Sequence, residues 1–191
     1  MTMDYSKDIV EYINIEKQIL DSLDVSAVNE MMQVILEAYE NEKRIYIFGN
    51  GGSSATASHY QNDFNKGLSE NLQKKFNMVC LNNDLPTIMA IANDISFDEV
   101  FRYQLRGRIQ PGELVIAISG SGNSANVINA VKYAKEQGNK VIGLCGYNGG
   151  KLKELADIAV HVNINNMQVV EDIHMVLDHM MVTVFMKHLM G

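Results

Sequence analysis

Short apolar runs alternate along this chain with longer stretches in which apolar residues recur every three or four positions. Arg44-Ile45-Tyr46-Ile47-Phe48, Met78 to Leu81, Leu114 to Ile118, Val141 to Leu144 and Ile158 to Val162 have the length and composition of β-strands. They read as nearly unbroken apolar runs, the pattern of parallel strands covered on both faces. Helical patterns lie between most of them. The prediction is an α/β fold, a three-layer α/β/α sandwich around about five parallel strands.

Ahead of the first run, Ile9, Tyr12, Ile13, Leu20 and Leu23 form a ladder of threes and fours interrupted at Glu16, with Ile19 beside it on the same face. Val28, Met31, Met32, Ile35, Leu36 and Tyr39 repeat the pattern after Ser26, a candidate helix cap. Two amphipathic helices therefore precede the sheet. Their apolar stripes suit either the domain itself or a second subunit. The Met-rich portions here and near the C-terminus read as core or interface.

Composition narrows the class. With 191 residues, 47% of them hydrophobic, and only 2 Pro, the chain suits one core, so a single domain over 1–191 with 1–40 as a helical extension is expected. A net charge of -7 argues against broad nucleic-acid binding. Cys80 and Cys145 lie inside strand-like runs, the usual setting of a buried, unreactive thiol. The first eight residues carry acids where a secretory leader carries basic and apolar residues, and no run approaches membrane-spanning length. The expectation is a cytoplasmic protein with no membrane segment.

Two strand-like runs end in glycine-serine loops. Ser119-Gly120-Ser121-Gly122-Asn123-Ser124 leads from an apolar run into the helical pattern of Val127, Ile128, Ala130, Val131 and Ala134. Free N–H groups, a helix dipole and three hydroxyls at near-alternate positions make it a phosphate cradle. The competing reading is that the serines only cap the helix. The second loop is Gly49-Asn50-Gly51-Gly52-Ser53-Ser54. Both would sit at the carboxyl ends of parallel strands, where two loops can share one ligand. Gly49-Asn50-Gly51 also begins a dinucleotide fingerprint, but its third glycine is Ser54 and Asp84 comes too late to meet a ribose. The acidic balance points to phosphate carried by a small molecule.

These residues carry a resemblance. Gly49-Asn50-Gly51-Gly52-Ser53, His59, Ala92-Asn93-Asp94, Phe97, Phe101, Ser119 to Val127, Gly149-Gly150-Lys151-Leu152 and Glu171-Asp172-Ile173-His174 resemble the sugar isomerase (SIS) domain, and within it the phosphoheptose isomerase branch. The likeness covers nearly the whole chain. It implies a flavodoxin-like topology and isomerisation of D-sedoheptulose 7-phosphate to D-glycero-D-manno-heptose 7-phosphate, in a homotetramer with sites between subunits. By the same resemblance Ser119, Ser121 and Ser124 bind the phosphate, with Gly120 and Asn123 as further donors. Asn50, Gly51, Gly52, Ser53, Asp94 and Glu171 belong to the substrate site. Asp63 and His179 are the acid/base pair, and His59, Asp63, Glu171 and His179 are associated with Zn2+. Members usually carry Glu where Asp63 stands and Gln where Glu171 stands. A non-catalytic relative, a phosphosugar sensor or an adaptor like the replication initiator-associating proteins, is the alternative.

Spacing tests part of this set. Four residues separate His59 from Asp63, which places both on one helix face. Glu171 and His179 are eight apart, about 80° around a helix and about 12 Å along it, a loose pair. His174 lies about 140° from His179, so the two do not face one site. His161 and His188 read as non-catalytic, and Glu171, Asp172 and Asp178 suit a solvated helix face as well as a site.

Overall fold

The computed structural model describes residues 3–189. Its strands are β1 (Ile45–Gly49), β2 (Met78–Cys80), β3 (Leu114–Ser119), β4 (Lys140–Cys145) and β5 (Ile158–His161). They form one sheet in the order β2-β1-β3-β4-β5, with every pair parallel. The order reverses once, between β1 and β3, as in flavodoxin-like folds, and ligands in such sheets bind outside the carboxyl ends at the reversal. The register sets Gly49 beside Ile118, so the loops that follow β1 and β3 leave the sheet side by side.

The helices are α1 (Ser6–Asp21), α2 (Val25–Glu40), α3 (Gly52–Asn62), α4 (Leu85–Asp94), α5 (Val100–Leu105), α6 (Ala125–Glu136), α7 (Gly150–Leu155) and α8 (Met167–Leu189). Successive strand side chains point to opposite faces. Ile45, Ile47, Ile116 and Leu144 join α2, α3 and α8 in one core, while Tyr46, Phe48, Val115 and Val141 join residues of α4, α5, α6 and α7 in the other. Every residue of the central strand β3 is buried, which accounts for its unbroken apolar run.

Two expectations are corrected. On α1 the inward residues are Tyr12, Ile15, Ile19 and Leu23, which rest on Val162, Val169, Val170 and Ile173, while Ile9, Ile13 and Leu20 face outward. Ile15 continues the ladder past Glu16 on a face rotated from the expected one. The cap of α2 is Asp24, whose carboxylate accepts from the N–H groups of Ser26 and Ala27 at 3.0 and 3.1 Å. An ionised acceptor at a helix N-terminus also meets the positive end of the dipole, so Asp24 outcompetes the hydroxyl two residues later. The chain after α3 stays ordered around the core. The helix α3 runs on as a π turn, Asp63–Gly67, and a 3-10 turn, Leu68–Asn71, with Phe64, Leu68 and Phe76 buried.

That continuation closes the edge of the sheet. Asn65 donates to the Met78 carbonyl at 2.7 Å and accepts from the Met78 N–H at 2.8 Å, and Gln61 accepts from the Cys80 N–H at 2.6 Å. Two side chains thereby stand in for a neighbouring strand along β2. Replacing Asn65 by Ala leaves both Met78 groups unpaired and is expected to cost about 1–3 kcal/mol. Denaturant titration reads the loss, and an unchanged midpoint would rule out Asn65 as the closing group.

Candidate active site

The serine loop is held from behind by a second turn. Gly122 has φ +66, and a Cβ there would overlap the carbonyl of Gly149, so only glycine suits both the conformation and the approach. The Gly146 N–H donates to the Gly120 carbonyl and the Leu152 N–H to the Gly122 carbonyl, each at 2.9 Å. The Lys151 N–H donates to Asn123 Oδ1 at 3.2 Å. Ser124 occupies the N-cap position of α6, yet its side chain accepts none of the helix's N–H groups. Its hydroxyl lies 3.2 Å from that of Ser119 instead, while Ser121 Oγ accepts from the Asn123 N–H at 3.2 Å. The capping reading requires Ser124 to serve the first turn of α6. Asn126 Oδ1 accepts the Val127 N–H at 2.9 Å instead, and the rest of the α6 N-terminus keeps donors for an anion.

The first loop is tied to the serine loop by a pair of amides. Asn50 and Asn126 exchange side-chain hydrogen bonds at 2.8 and 2.9 Å, and Asn82 grips Gly49 by both its N–H (3.2 Å) and its carbonyl (2.8 Å). Gly51 has φ +53 at the N-cap of α3, and Ser53 is buried in the first turn. The Glu171 carboxylate fills the space that a Cβ on Gly52 would need. Asp94, at the end of α4, is exposed and accepts from the neighbouring Asn93 amide. No hydrogen bond found among the described residues joins it to the other candidates.

Titratable groups converge where α3 meets α8. His59 Nε2 is 3.0 Å from His179 Nε2, 3.4 Å from Asp63 Oδ2 and 3.8 Å from Asp178 Oδ2, and His179 Nε2 is 4.0 Å from Asp63 Oδ2. His59, Asp63, Asp178 and His179 each offer one ligand atom, all within 4.8 Å of one another. The fold thus brings together three of the four residues associated with Zn2+ by resemblance. Glu171 is absent from the group, being two turns away along α8 and set against Gly52, and Asp178 stands in it. Two imidazoles and two carboxylates are a donor set that suits Zn2+ or a neighbouring divalent transition metal.

For Asp178 the structure decides between the two readings, a solvated face and a site, against the first. It is 0% exposed, with no hydrogen-bond partner on either carboxylate oxygen. Burial first, and then the charge of Asp63, push its carboxyl up to about 7. A signal was available, because Asp178 falls on the stripe of Val170, His174, Leu177, Met181 and Phe185, all buried. Sequence reading also passed over Asn126 and Asn82, whose roles depend on loops meeting across the sheet. The thiols fit their predicted inert role: both cysteines are free and buried, and burial drives the Cys145 thiol up to about 11.

Comparison with known proteins agrees with this geometry. Residues 11–146 match the SIS domain family. The chain is 37% identical over 147 residues to the phosphoheptose isomerase of Aliarcobacter butzleri, covering 77% of each chain, and 31% identical over 182 residues to that of Helicobacter pylori strain P12, covering 95% and 94%. This chain belongs to the SIS domain family, in its phosphoheptose isomerase branch. Among solved SIS structures, the phosphoheptose isomerase of Neisseria gonorrhoeae superposes with a TM-score of 0.87 at 29% identity, over 95% of this chain and 98% of that one. Among the described residues, no helix is long and apolar enough to cross a membrane.

His174 lies outside the group of four on the same helix, as its spacing predicted. It is 1% exposed, and burial lowers its pKa to about 4, opposed weakly by the Cys145 backbone. An unfolded chain takes up this proton near 6.5, so the folded state holds its full advantage above that pH and loses it as pH falls towards about 4. Between those limits His174→Leu is expected to flatten the acid limb of the stability curve by about 1.4 kcal/mol per pH unit. Identical slopes in pH-dependent denaturation would mean that His174 titrates normally in the fold.

Proposed function

We propose that this chain is an aldose–ketose isomerase that converts D-sedoheptulose 7-phosphate to D-glycero-D-manno-heptose 7-phosphate. The observation that carries the reading is the Asp63–His179 pair, 4.0 Å apart and partly open to solvent. It accompanies a serine loop whose hydroxyls are not spent on capping. Relatives covering most of the chain bear the name phosphoheptose isomerase, so the non-catalytic sensor or adaptor is not favoured.

The reaction needs a base for the proton on the carbon beside the carbonyl, an acid for the carbonyl oxygen, and stabilisation of the enediolate between them. In this reading Ser119, Ser121, Ser124, Gly120 and Asn123 anchor the phosphate at the N-terminus of α6. Asn50, Gly51, Gly52, Ser53, Asp94 and Glu171 line the sugar. Asp63 takes the carbon-bound proton, and His179 serves the oxygen, the two exchanging roles as the direction reverses. Asp63 is a methylene shorter than the Glu usual in the branch, and the backbone widens from α to π geometry where it stands, a feature frequent at functional sites. Zn2+ held beside them would supply Lewis-acid polarisation of the carbonyl.

The arrangement proposed is one SIS domain, 1–191, with 1–40 as its helical extension, acting in the cytoplasm. Assembly as a homotetramer is supported by apolar side chains left in water. Ile9, Val10 and Ile13 are exposed on α1, and Leu85, Met89, Ile95 and Phe97 on and after α4. Asp94 lies within that second group, exposed at the end of α4.

Incubation of the purified chain with sedoheptulose 7-phosphate should yield the aldose, followed by NMR. Asp63→Asn and His179→Ala should each lower kcat by at least about 100-fold. Ser121→Ala should chiefly raise KM. No turnover of this or any other ketose phosphate, with or without zinc, would sink the reading. In light scattering the mass of four chains is expected, and a monomer would contradict sites shared between copies.

A further inference from the structure

We propose that Asp178 is a direct ligand of a divalent cation held with His59, Asp63 and His179, in the position that family resemblance gives to Glu171. The inference deepens the isomerase reading, resting on its metal and not on its sugar. Asp178 is 0% exposed, and both of its carboxylate oxygens lack a hydrogen-bond partner. A buried carboxylate is tolerated when charges or donors face it, and few other buried side-chain atoms among the described residues are left in this state. No Lys or Arg lies within ion-pair distance of it among the described residues; its ion-pair neighbour is His59 at 3.8 Å. Tyr60, the other polar group near it on α3, gives its hydroxyl proton to the His174 carbonyl at 3.0 Å and offers Asp178 no hydrogen bond.

The surroundings match a cation in charge, number and spacing. Two carboxylates and two neutral imidazoles balance a double positive charge, leaving a half-buried site without net charge. Zinc bonds of about 2.0–2.2 Å to N and O hold neighbouring ligand atoms roughly 3.3 Å apart in a tetrahedron. The recorded separations of 3.0, 3.4, 3.8 and 4.0 Å bracket that value. His59 and His179 occupy the solvent side and Asp178 the floor, so the cation would be gripped from below by a group no substrate can reach. Glu171, with its carboxylate against Gly52 at the start of α3, is left to the sugar end of the site.

The test reads binding without activity. Full-length protein stripped with chelator is titrated with Co2+ and Zn2+ by calorimetry and by the visible absorption of Co2+. One ion per chain is expected in the wild type. Asp178→Asn should weaken it by more than about 100-fold, beyond the 10–100-fold typical of losing an outer partner, while Glu171→Ala, which removes the donor altogether, should change metal affinity by less than about threefold. Melting in chelator should show Asp178→Asn at least as stable as the wild type, because the amide removes a buried charge. X-ray absorption of the wild-type zinc form, expected to show two imidazoles and two carboxylate oxygens, keeps the proposal testable if the variant misfolds. Wild-type affinity in Asp178→Asn, loss of the ion in Glu171→Ala, or no uptake by the wild type would each overturn it. Sugar turnover with no ion bound would overturn this inference and leave the isomerase standing; an ion bound as described with no turnover would do the reverse.

Discussion

Tyr60 is completely buried between α3 and α8, and its hydroxyl donates to the His174 carbonyl in the middle of α8. This contact fixes the separation and rotation of the two helices, and the functional cluster depends on both. One residue before Tyr60 is His59, and five residues after His174 is His179; with the inner faces locked, the two imidazoles are carried to the outer rim of the same seam. Phe64 and Phe185 continue the seam below by an edge-to-face contact at 6.1 Å. An apolar core therefore positions polar chemistry, since close-packed side chains transmit position with little slack.

The second constraint is the meeting of loops at the reversal of strand order. Parallel pairing of β1 with β3 delivers two glycine-serine loops to one place, and the paired amides of Asn50 and Asn126 hold them there. The Gly149 turn then presses on Gly122 from the other side. A backbone fixed on both flanks presents its donors with little reorganisation when an anion arrives.

Much of this was legible in the chain itself. The five strands could be read because a strand buried on both faces leaves an apolar run, and both loops because glycine and serine at strand ends have few other uses. His59 and Asp63 could be paired because a single helix turn links them. What escaped was tertiary. Asp178 looked like a surface acid until the stripe containing it proved to face inward, and Asn126 gained its meaning from a partner 76 residues away. The rotation of α1, which turns Ile15 inward and Ile13 outward, follows from where α8 and Val162, just after β5, leave room, a matter no local pattern records.

The side chains of Gln61 and Asn65 along β2 have a bearing on how copies of this chain can meet. A bare parallel edge invites another strand, and repeated addition of that kind makes open-ended fibres. Here Asn65 of the π turn answers the Met78 N–H and carbonyl, and Gln61, near the end of α3, answers the Cys80 N–H. The segment that carries the proposed base thus also denies this edge of the sheet to growth, so that copies meeting here would do so through side chains and not through an added strand.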